Sequence, residues 1–142
     1  MSSQITLLET YITAQLETIT GIKRVYHGLS DDRGQTPYIE WQWDTGEITL
    51  EASAQVREDT EFVVRVVTAQ RALDDNHSYC DQIIHLFLTS AARAAYAAAG
   101  LRVRKITPRQ RFPAVPTESA KSRVWGGVRL SVEMERSIDG TV

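Results

Sequence analysis

Apolar and polar positions alternate most regularly over residues 122–135, SRVWGGVRLSVEME. From Val124 onward every second position is apolar or glycine: Val124, Gly126, Val128, Leu130, Val132 and Met134. The positions between them include Arg123, Arg129, Ser131, Glu133 and Glu135. A period of two belongs to a strand with one buried and one wetter face, so this segment reads as a central strand whose apolar side needs helical cover. Fully extended, it would span about 46 Å at ~3.3 Å per residue. A compact chain of this length is only roughly 37 Å across. The strand must therefore bend, break or overhang, and Gly126-Gly127 is the natural place for a bend or bulge.

The rest of the chain sorts by period. Ile5, Leu8, Ile12, Leu16 and Ile19 recur in steps of three and four, an amphipathic helix that Ser2 or Ser3 can cap and Gly21 can end. Residues 22–27 form a short possible strand, and residues 28–36 (GLSDDRGQT) a polar loop. After Pro37, which a strand start tolerates, Ile39, Trp41 and Trp43 fall on one strand face and Tyr38, Glu40 and Gln42 on the other. The tryptophans read as core before interface. Residues 44–60 are polar and include the acidic Asp44, Glu47, Glu51, Glu58 and Asp59, and 61–69 (EFVVRVVTA) form a β-branched strand. Strand, polar stretch and strand predict a long protruding β-hairpin, which alone would be marginal in water.

A second helix is expected from a cap at Asp74, Asp75 or Asn76 to about Ala99, with Cys80, Ile83, Ile84, Phe87, Leu88 and Ala91 as its apolar stripe. Residues 101–107 read as a further strand. Residues 108–121 hold three prolines and read as an irregular loop, and 137–142 as a frayed tail. The fold class is therefore α+β, a mixed or antiparallel sheet flanked by two main helices.

Composition adds limits. The 142 residues suggest one domain, 1–142. A net charge of −2 argues against a general electrostatic grip on nucleic acid. The single cysteine, Cys80, cannot form an internal disulfide. No run approaches the ~20 apolar residues of a membrane helix. His77, Asp81 and His85 share a helix face, but the two histidines would lie about 12 Å apart along the axis, too far for one metal. Cys80 beside His77 fits an inert buried thiol better than a nucleophile. Glu133 and Glu135 on one strand face read as solvated carboxylates. Arg102, Arg104, Arg109, Arg111, Lys121 and Arg123 cluster in sequence, and could touch DNA phosphate or acidic groups of a neighbouring subunit. No phosphate loop or hydrolase motif occurs, so no catalytic residue, metal or cofactor is expected, and the chain does not read as an enzyme.

The order of elements (amphipathic helix, TPYIEW at 36–41, polar hairpin, EFVVRVV at 61–67, long helix, strand, proline-rich loop and GGVRLSVEME at 126–135) resembles the tail-terminator, or tail-completion, proteins of long-tailed bacteriophages, the minor tail protein U type. The resemblance is one of layout and covers nearly the whole chain. It implies a homo-oligomeric ring, typically a hexamer, at the head–tail junction of a virion, made in the host cytoplasm. The ring would contact the tail-tube protein and the head-to-tail connector, stop tube polymerisation, and pass DNA without sequence-specific binding or any membrane. On this reading the hairpin and the proline-rich loop are the contact elements, with Glu47, Glu51, Arg57, Glu58, Arg109, Arg111, Phe112 and Lys121 as candidate assembly contacts. A head-closure or neck connector is the nearest alternative, and a small ligand-binding domain, enzyme or nucleic-acid module a more distant one.

Overall fold

The computed structural model describes residues 4–29, 34–51, 55–88, 103–116 and 122–137. Helix α1 (Gln4–Glu17) is followed by strands β1 (Arg24–His27), β2 (Tyr38–Glu51) and β3 (Gln55–Ala69), helix α2 (Leu73–Leu88), and strands β4 (Val103–Pro116) and β5 (Arg123–Ser137). The five strands form one sheet in the order β1-β2-β3-β5-β4. Only β1 and β2 pair in parallel, and every other neighbouring pair is antiparallel. The α+β class and mixed sheet expected from the sequence are both present. The alternating strand β5 is interior, with β3 in the middle position.

Both helices cover the same sheet face. Leu8, Ile12 and Leu16 of α1 and Cys80, Ile83 and Phe87 of α2 share one buried cluster with Ile39, Trp41, Phe62, Val64, Val128 and Leu130. Each large apolar side chain removed from water contributes roughly 1.5–3 kcal/mol, so this face holds most of the stabilising burial. Trp41 is fully buried and donates its Nε1–H to Thr13 Oγ1 at 3.1 Å, tying α1 to β2. Trp43 is half-buried and packs edge-on against Trp41 and Phe62. Gly21, in the left-handed region at φ 95°, follows α1, and a side chain there would run into the Tyr79 hydroxyl.

Helix α2 is anchored by a residue the sequence offered only as a cap. Asn76 is fully buried, and its amide donates to Val66 O at 3.0 Å and Thr68 Oγ1 at 3.2 Å. Gly126 makes this approach possible, because a Cβ there would lie 2.5 Å from Asn76 Oδ1 and 3.1 Å from Phe112 O. The glycine pair thus serves close packing rather than a bend. The β3–β5 ladder runs without a shift from Ala69↔Arg123 to Gln55↔Ser137. The irregularity lies opposite the glycines, in β4 between Phe112 and Val115.

Three expectations need correction or limits. Residues 108–116 are not an irregular loop, since they belong to β4. Strand β4 is an edge, where proline's missing N–H need not break a ladder, and register shifts near Pro108 and around Pro113 absorb the misfit. Strands β2 and β3 pair as far as Glu51↔Gln55. Because β5 accompanies β3 along its whole length and β4 stays beside β5 as far as Val103↔Met134, the part beyond Trp43 has four strands and then three, rather than the two of a solitary arm. The expected α2 residues 89–99, Arg102, most of the tail at 137–142 and residues 117–121 lie outside the described residues.

Candidate assembly surface

The sheet face opposite the helices carries the polar set of each alternating strand, and register places these residues in rows. One row runs Tyr26, Glu40, Arg65, Gly127 and Phe112 across all five strands. At its centre Glu40, fully buried, accepts from Arg65 Nε at 2.8 Å and Nη2 at 2.5 Å through the same oxygen, Oε2. The Arg65 guanidinium also lies 5.5 Å from the centre of the Trp125 ring. Tyr26 meets Tyr38 edge-on at 5.7 Å, and Arg123 donates to Gly34 O at 2.7 Å, holding Gly34 against this end of the sheet.

Further along, Arg129 pairs with Asp44 and, at 3.2 Å, with Glu61, and its guanidinium lies 5.9 Å from the Phe112 ring centre. Arg109 donates to Ser131 Oγ at 2.9 Å. The next row brings Glu47, Asp59 and Glu133 into direct cross-strand register. Like charges directly opposite one another in a sheet are destabilising. The described cation in that row is Lys105, whose Nζ is 3.6 Å from Glu133 Oε2. The face therefore grades from arginine and aromatic residues at the Arg123 end to carboxylates toward the Glu51 end.

The candidate contacts fall on three sites. Glu47, Glu51, Arg57 and Glu58 sit on the distal halves of β2 and β3. Arg109 and Phe112 lie on edge strand β4 and engage the face just described. Arg111, next along the same strand, points to the helix side, where it pairs with Asp81 and donates to His77 O at 2.9 Å. Lys121 lies outside the described residues. The His77–Asp81 helix face thus meets a guanidinium. The Cys80 thiol is buried, and burial pushes it up to about 11. Arg111 pulls it down and Asp81 pushes it up, both more weakly.

Sequence reasoning missed the Glu40–Arg65 pair, although a signal existed. The alternation in PYIEWQW puts Glu40 on the face opposite Trp41, and pairing with the next strand sets an arginine beside it. Asn76 gave no such signal, because an asparagine before a helical stripe reads first as a cap.

No protein-family model matches the sequence, and no curated protein matches it. Among solved structures, the chain is similar to one from the virion of a native gene transfer agent particle, with a TM-score of 0.66 and 10% identity, over 96% of this chain and 100% of that one. At that identity the likeness establishes a shared fold.

Proposed function

We propose that this chain is a structural virion protein of a phage-like particle, acting at the head–tail junction as the ring that terminates the tail tube. The observation that carries the reading is the likeness to a chain of a gene transfer agent virion, end to end on both sides. The layout resemblance to tail terminators supports the finer role, and so does a broad sheet face bearing both charge signs and aromatic residues, of the kind assembly surfaces use. On this reading residues 1–142 form one assembly unit. Identical copies join by a heterologous contact that closes into a ring. The distal parts of β2 and β3 and the β4 edge supply contacts to neighbours, tail-tube protein or head-side connector. The chain works by shape and contact, not by catalysis.

The test is tube growth. Tail-tube protein polymerising alone should yield tubes of unlimited length. Adding this protein should stop elongation and leave a ring at one end, visible by negative-stain electron microscopy. A ring that binds a portal-side adaptor and ignores the tube would move the role to head closure. A protein that joins neither assembly would overturn the virion reading.

A further inference from the structure

At the Arg123 end of the sheet, where β2 and β5 begin and β3 ends, lies an open depression of about 600 Å³ lined by Thr36, Ala69, Gln70, Arg71, Ser122 and Arg123. The ends of its walls are tied by a bond from Gln70 N to Ser122 O at 2.7 Å. Among the described residues its lining holds two guanidinium groups, of which Arg123 also donates to Gly34 O, an amide and two hydroxyls, and no carboxylate. Arg71 is exposed and makes no ion pair among the described residues. Such a donor set selects an anion with several oxygens, which a forked guanidinium binds best.

The opposite end of the same strands has the complementary charge. Over residues 44–61 the sequence holds Asp44, Glu47, Glu51, Glu58, Asp59 and Glu61 against Arg57 alone. Asp44 and Glu61 are matched by Arg129. The row Glu47, Asp59, Glu133 sets three carboxylates in register, with Lys105 beside Glu133. The two ends are separated by the length of β2, about 46 Å at ~3.3 Å per residue. Both ends belong to one continuous ladder, so they cannot meet within one molecule.

We infer that the Arg71–Arg123 depression is a carboxylate receptor, and that its occupant is the acidic distal end of β2 and β3 of a second copy of this chain. The inference rests on the ring reading above and supplies its subunit contact. Receptor and occupant at opposite ends of one sheet make a head-to-tail interface, the kind that generates rings when the rotation closes. A phosphate occupant is the weaker fit, because the chain carries a net charge of −2 and nucleic-acid grips are basic.

The experiment uses the full chain in native mass spectrometry and sedimentation, with Arg71→Glu, Glu47→Arg and the double variant. Each single reversal places like charges across the contact and should weaken self-association at least about tenfold. The double variant exchanges the charges at both ends and should recover the ring. So should an equimolar mixture of the two single variants, by alternation in rings of even number. Circular dichroism on each variant separates loss of contact from loss of fold. If wild type forms rings and Arg71→Glu forms them equally well, the receptor inference is overturned and the ring reading stands. Weakening by Arg71→Glu that Glu47→Arg does not repair overturns the assigned occupant. An Arg71→Glu protein that keeps its ring but loses salt-sensitive duplex binding assigns the depression to phosphate. Wild type that never self-associates, alone or on the tube, overturns the ring reading itself.

Discussion

Replacing Arg65 by methionine removes both donors to Glu40 Oε2 while keeping a side chain of similar reach. Glu40 is fully buried, and the Arg65 side chain is 15% exposed, so solvent cannot easily replace the guanidinium. Removing one partner of a buried ion pair and leaving the other charged costs about 3–5 kcal/mol. For a chain of this size, a urea slope of ~2 kcal/mol per M would move the midpoint down by about 1.5–2.5 M. The double variant Glu40→Leu, Arg65→Met removes the buried carboxylate as well, and apolar replacement of a buried pair is often near neutral. It should therefore recover most of the loss. Urea unfolding followed by tryptophan fluorescence at neutral pH measures all three variants. A loss below ~1 kcal/mol for Arg65→Met, or a double variant no better than the single one, would refute the view that the pair is a buried unit whose halves depend on each other.

Gly126→Ala drives a Cβ to 2.5 Å from Asn76 Oδ1 and should destabilise the fold by about 1–3 kcal/mol, read from a thermal melt. Asn76→Ala leaves Val66 O and Thr68 Oγ1 without their amide donor and should cost about 1–3 kcal/mol, with hydrogen exchange at the start of α2 rising most. The Cys80 thiol is raised from 9.0 to about 11 by burial. A raised pKa means the folded state holds the proton longer, so this contribution is intact below pH 9 and falls away as pH rises toward 11. Stability of wild type should drop faster than that of Cys80→Ala over that window, and the native thiol should resist alkylation at pH 8. Arg111→Ala breaks a pair whose side chains are 37% and 59% exposed. It should change stability by no more than ~1 kcal/mol, so a large loss of assembly by this variant would mark an intermolecular role.

Periodicity made α1, α2, β2, β3 and β5 legible because each buries one face, and burial writes a period into the sequence. The start of β4 was legible in 101–107, but its continuation over 108–116 was hidden because Pro108, Pro113 and Pro116 look like breakers, and their tolerance depends on β4 being an edge, a tertiary fact. The buried Glu40 was hidden for a related reason. On the β2 alternation it falls on the polar face, and the cross-strand partner Arg65 shows how its carboxylate can be buried. The bulge moved from Gly126-Gly127 to β4 because the glycines are required by the approach of Asn76 and not by backbone curvature. Of the candidate contacts, Arg111 could not be separated from Arg109 and Phe112 by sequence, since side-chain direction along a bulged strand follows the register shifts.

The proposed role requires identical copies of this chain to close into a ring that engages a tail tube. The decisive measurement is native mass spectrometry of the purified protein, alone and mixed with a tail-tube protein. A single closed oligomer that captures the tube protein is expected, with six subunits by the terminator reading. A monomer under both conditions would contradict it.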